Sequence, residues 1–183
     1  MSPLTLYTVG HSNHTSESLI ALMDLHSVRM LVDVRSTPHS QFNPQFNQGA
    51  IKLAVEQHGL EYKYAGEFLG GRPKDPALFK TTEQPLNSEP WTYPDVDYEA
   101  VMRSELYQRG ITRLLQLAAG TRLAIMCSEG NPLDCHRHHL IARSLVDPLV
   151  KVTEEAVTVN HINRDGSLTT VKADDFNSQL SLF

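Results

Sequence analysis

Leu123-Ala124-Ile125-Met126-Cys127-Ser128-Glu129-Gly130-Asn131-Pro132-Leu133-Asp134-Cys135-His136-Arg137-His138-His139 passes from apolar to densely polar within a few residues. The opening run reads as a buried strand, and the residues that follow carry a helical stripe of Leu140, Ile141, Ser144 and Leu145. A polar cluster is thus set on a strand-to-helix turn, and open α/β sheets bind ligands just beyond the carboxyl ends of their strands. The turn holds both cysteines, Glu129, Arg137 and three of the nine histidines of the chain. One helical turn back from the stripe lie His136 and Arg137, which are expected over the strand ends, with His138 and His139 turned towards solvent.

Outward from this turn the same alternation recurs. Leu6 to Val9 is a β-prone run ending at Gly10-His11-Ser12, and a helix follows with Thr15 or Ser16 as N-cap and Leu19, Ile20 and Met23 on one face. Met30 to Arg35 reads as the next strand, where period-two alternation places Asp33 and Arg35 on one side. Asn47 opens a helix bearing Ile51, Ala54 and Val55, which Gly59 stops, and Glu61 to Tyr64 is a third strand. Ser104 caps a helix carrying Tyr107, Ile111, Leu114, Leu115 and Ala118. Val157 to Ile162 and Leu168 to Val171, joined through Gly166, form a hairpin. The fold class is therefore α/β: a mainly parallel sheet with helices on both faces and a C-terminal β-hairpin. We expect one domain over residues 1–172 and a flexible tail over 173–183, with residues 72–97, which hold five of the ten prolines and Trp91, as a long Pro-rich loop.

With 183 residues the chain builds one full core, and its 40% hydrophobic content is that of a globular protein. No apolar run approaches the ~20 residues that span a bilayer. The first residues show no secretory pattern, so a cytoplasmic protein with reduced thiols and no membrane partner is expected. A net charge of −5 argues against a generally basic nucleic-acid surface and leaves room for a local cationic cleft.

Gly10-His11-Ser12, Asp33-Val34-Arg35, Leu69-Gly70-Gly71-Arg72 and Cys127-Ser128-Glu129 through Cys135-His136-Arg137 occur in this order, and together they resemble the domain-of-unknown-function 488 family. The resemblance spans roughly residues 5–165 and implies an α/β fold with a shared polar site, without naming a reaction. The residues themselves suggest the chemistry. Asp33 and Glu129 suit general acid–base work, with His11 or His136 as a second proton carrier. Arg35, Arg72 and Arg137, with Ser12, suit an anionic substrate, because guanidinium forks match phosphate. Cys127 and Cys135 are candidate nucleophiles; Cys127 ends an apolar strand, while Cys135 opens a helix and is the better thiolate. A zinc set of Cys127, Cys135, His136 and His139 lacks a standard spacing, so no metal and no cofactor is expected.

The chain ends Gln179-Leu180-Ser181-Leu182-Phe183, which resembles the peptide by which bacterial replication and repair proteins dock on the DNA polymerase sliding clamp. A mobile peptide offering Leu and Phe to an apolar pocket and Gln to its rim meets the physical requirement. Tethering would raise the effective concentration near DNA without a basic surface. The expected function is an enzyme of the hydrolase kind, acting on DNA or a nucleotide in repair or base processing and recruited by the clamp. The alternatives are a small-molecule enzyme on a phosphorylated substrate, and a metal-stabilised binding module without activity.

Overall fold

The computed structural model describes residues 3–80 and 95–176. Its sheet has six strands in the order β3-β2-β4-β1-β5-β6. They are β1 (Leu4–Gly10), β2 (Met30–Asp33), β3 (Glu61–Tyr64), β4 (Leu123–Cys127), β5 (Val157–Ile162) and β6 (Leu168–Thr170). The first five run parallel, and β6 closes the edge antiparallel to β5 as the expected hairpin. Residues of β2 and β4 are buried throughout, as befits parallel strands covered on both sides.

Helices cover the two faces separately. On one face α1 (Ser16–Leu25) and α2 (Gln48–Gln57) bring Leu19, Met23, Ile51 and Val55 onto Val9, Leu31, Ala124 and Met126. On the other, α3 (Gly66–Leu69), α4 (Tyr98–Arg103) and α5 (Glu105–Gly120) cover Met30, Val32, Leu123 and Ile125. The α5 stripe is the expected one: Tyr107, Ile111, Leu114 and Leu115 are buried, and Ser104 Oγ accepts from the Tyr107 amide. Thr15 caps α1 in the same way, through the Ser18 amide. Asn47 precedes α2, but its carboxamide oxygen accepts from the Ser40 amide and braces the preceding loop instead.

After β4 the chain makes a 3-10 turn over Pro132–Asp134, a π-helical segment over Arg137–Ala142 and a short α6 (Arg143–Val146). The π turn corrects one expectation. His138 is buried, 3% exposed, and does not face solvent, because i→i+5 winding moves the first turn out of the phase that an α-helical wheel assigns. His138 Nδ1 lies 3.0 Å from His161 Nε2 on β5, and His161 Nδ1 lies 2.7 Å from Thr8 Oγ1 on β1. Burial, then the neighbouring His139, lowers His138 to about 4; burial, then His138, lowers His161 to about 3.

The described ends of the Pro-rich loop are ordered locally: Pro76–Leu78 is a 3-10 turn capped by Asp75, and Phe79 bridges to Val96. Ala173–Phe176, assigned to the tail by sequence, forms a 3-10 turn with the Phe176 ring 4.8 Å from that of His138. The pentapeptide 179–183 lies outside the described residues. Among the described residues no helix is long and apolar enough to cross a membrane.

Candidate active site

β1 and β4 lie side by side, and their onward connections leave in opposite directions, towards β2 and towards β5. This is the kind of switch point at which α/β sheets open a crevice. The chain returns there twice in close contact: the His11 amide donates to the Cys127 carbonyl and the Ser12 amide to that of Ser128, both at 2.9 Å. Gly10 makes the approach possible. A β-carbon there would overlap the Glu129 carbonyl oxygen and press on the Arg137 guanidinium.

The sheet divides the candidate residues into two sets. The first lies on the α1/α2 side. Asp33, fully buried, accepts from Arg35 Nε at 2.9 Å, Arg35 Nη2 at 2.6 Å and the Tyr62 hydroxyl at 2.9 Å. Burial, then Asp33, raises the Tyr62 phenol, so it stays a donor. His11 stacks on Phe46 at a ring separation of 4.3 Å. Its Nδ1–H donates to the Ser12 carbonyl at 2.9 Å, which leaves Nε2 to accept from Arg35 Nη1 at 3.3 Å. Burial lowers His11 to about 4, which agrees with that neutral tautomer.

The second set lies on the α5 side, where alternation along β4 points Cys127. The Cys127 thiol donates to Glu129 Oε2 at 3.0 Å and lies 3.4 Å from His136 Nδ1; Cys135 Sγ is 3.8 Å from the same nitrogen. The ligand atoms of Cys127, Cys135 and His136 all fall within 4.8 Å of one another. His136 Nε2–H donates to the Val34 carbonyl at 3.2 Å, which turns the Nδ1 lone pair to the sulfurs and ties this set to the first. Burial raises the Glu129 carboxyl, but hydrogen bonds from Cys127 and Cys135 outweigh it and the net direction is down. Burial, then the Cys127 thiol, pushes Cys135 well above the ordinary thiol range. Cys135 is therefore held as a thiol, against the expectation that its helix start would make it the better thiolate.

The arginines are placed differently from one another. Arg35 is bound to Asp33, and Arg137, 1% exposed, donates to the Glu129 carbonyl and, at 2.8 Å, to the Gly130 carbonyl. Both guanidiniums thus brace the fold at the site. Arg72 is exposed, and its amide donates to Ser36 Oγ at 2.9 Å. It lines a cleft of about 420 Å³ with Ser36, Gly70, Lys74 and Tyr107. Burial raises the Tyr98 phenol, and Cys135, Cys127 and Glu129 raise it further while Arg72 opposes them. Tyr98 is therefore near enough to both the thiol set and Arg72 to feel their charge. Ser12, in left-handed backbone at φ +43°, lines a separate cleft of about 370 Å³ with His14, Asn131 and Arg164. His139 is exposed and turned away, so the four-ligand set Cys127, Cys135, His136 and His139 is not assembled.

Sequence reasoning missed Tyr62, Tyr98 and the His138–His161 pair. Tyr62 was legible in principle, since a tyrosine at a buried strand position needs a partner for its hydroxyl. Tyr98, next to the Pro-rich loop, carries no such signal.

Comparison with curated proteins and comparison with solved structures each return no match. A family profile matches residues 15–144, a span that contains both carboxylates, both cysteines and His136 but begins after Gly10-His11-Ser12. The chain belongs to the family described as domain of unknown function DUF488.

Proposed function

We propose that the protein is an enzyme acting on DNA or a nucleotide, with its chemistry at the Cys127–Glu129–Cys135–His136 set. The observation that carries this reading is a half-buried carboxylate facing two buried thiols and an imidazole at the carboxyl end of β4. Nothing in the packing of a strand end calls for such a group. Glu129 takes up and returns the proton in hydrolysis, with His136 as its neighbour and Tyr98 as a neutral donor. Arg72, at the cleft, receives the phosphate. Asp33, Arg35, His11 and Arg137 hold the strand ends in register; in this reading they orient the site and exchange no proton with substrate. The C-terminal pentapeptide docks the enzyme on the sliding clamp.

The size of the cleft favours a second form of the same reading. About 420 Å³ at Arg72 suits one nucleotide or another small phosphorylated molecule better than a length of duplex; none of Cys127, Glu129, Cys135 and His136 lines this cleft, so the reacting bond must extend beyond it to reach them. A screen of the purified protein against nucleotides, sugar phosphates and single- and double-stranded oligonucleotides separates these forms. Turnover should fall ~100-fold or more in Glu129→Gln. Arg72→Ala should act mainly on KM. Equal rates for parent and Glu129→Gln would end the assignment.

A further inference from the structure

We infer that Cys127, Cys135 and His136 bind one divalent metal ion of the zinc class, leaving a fourth position beside Glu129. A tetrahedral ion with bonds of about 2.3 Å to sulfur and 2.0 Å to nitrogen has sulfur–nitrogen edges of about 3.5 Å. The two edges here are 3.4 and 3.8 Å, and the three ligand atoms close to within 4.8 Å of each other. The set is formed without any help from the sequence spacing, because a strand end and the start of the following helix bring it together. His136 also has the outer partner that metal-bound imidazoles use: its other ring nitrogen donates to the Val34 carbonyl, which fixes both tautomer and ring plane. The cation would displace the proton that Cys135 otherwise keeps, and the Arg137 amide, pointing at Cys135 Sγ at 3.5 Å, would steady the thiolate so formed.

The ligand type selects the metal. Two sulfurs and an imidazole suit zinc, and not magnesium or calcium, which take oxygen. Glu129 does not complete the coordination, since its carboxylate reaches Cys127 but falls outside the mutually close group. It stands where a water in the fourth position could hand it a proton. That is the three-ligand, one-water arrangement of catalytic zinc, and the resulting hydroxide is a nucleophile at neutral pH. The inference rests on the reading of this set as the active centre and adds the metal to it.

Reduced full-length protein, stripped with a chelator and titrated with Co²⁺ under anaerobic conditions, tests this. The expected result is about one equivalent bound per chain, with near-ultraviolet thiolate bands and tetrahedral visible bands that Zn²⁺ abolishes. Cys127→Ser and His136→Gln should lose the signal, while Glu129→Gln keeps the thiolate bands with the visible bands shifted. Native mass spectrometry of the unmutated chain with Zn²⁺ gives the stoichiometry without relying on any variant. Absence of thiolate bands with both thiols reduced overturns the site. Metal-free protein that still turns over a nucleotide overturns the metal's part in the reaction and leaves the proposed function standing. Metal-loaded protein inert towards every phosphate-bearing substrate does the reverse.

Discussion

A carboxylate with no solvent exposure persists at position 33 because four hydrogen bonds surround it, from Arg35 Nε, Arg35 Nη2, the Arg35 amide and Tyr62. Asp33→Asn removes the charge that balances Arg35 and should cost about 3–5 kcal/mol. The pair Asp33→Leu with Arg35→Met should recover much of that loss, since replacing a buried ion pair by apolar groups is often neutral. Urea unfolding of the three proteins measures both effects. His138 and His161 make a second prediction. Both are neutral in the fold, lowered from 6.5 to about 4 and about 3. Their contribution is complete above pH 6.5, where the unfolded chain is neutral too. It is lost as pH falls towards 3–4, because the unfolded chain binds protons that the native one refuses. The slope is up to about 1.4 kcal/mol per pH unit for each group. His161→Gln should flatten the fall in urea midpoint between pH 7 and 4.5; an unchanged slope would show that the pair is not neutral in the native state.

At the level of elements, Gly10 and the 128–130 loop fit each other without space for a methyl group. Gly10→Ala must push the loop back and should cost about 1–3 kcal/mol. Gly49→Ala, on open α2 surface, should cost nothing and gain up to ~1 kcal/mol. Differential scanning of the two variants checks the contrast. The strands were legible because continuous apolar runs such as Leu123–Met126 admit few other readings once the flanking helices show their period. Caps at Thr15 and Ser104 were legible for a local reason, one hydroxyl and one amide three residues on. The π turn was not. Its phase depends on how Arg137 to Ala142 pack against α4, β4 and β5, so an α-helical wheel placed His138 in solvent. The same packing assembles Cys127, Cys135 and His136, which the interval between the cysteines argued against.

Across the whole molecule, candidates that sequence alternation set on the same edge of the sheet fall on its two faces. Asp33 and Glu129 looked like an acid–base pair; the first is part of the frame under α1 and α2, and the second faces the thiols under α5. Which arginine is exposed was equally beyond the sequence, because it depends on how each side chain is packed: Arg35 and Arg137 are buried on internal acceptors, and Arg72 is exposed where it lines a cleft. Removal of residues 179–183 should abolish capture of the sliding clamp and leave the melting temperature unchanged; undiminished capture would refute the clamp assignment. In the proposed function, substrate meets the protein at Glu129 and the two cysteines. The most direct test is a crystal structure of Glu129→Gln soaked with a nucleoside monophosphate. The expected density shows phosphate within hydrogen-bonding distance of Arg72, with the nucleoside directed towards position 129. Phosphate held instead by Ser12, His14 and Arg164, with the cysteine side vacant, would contradict it.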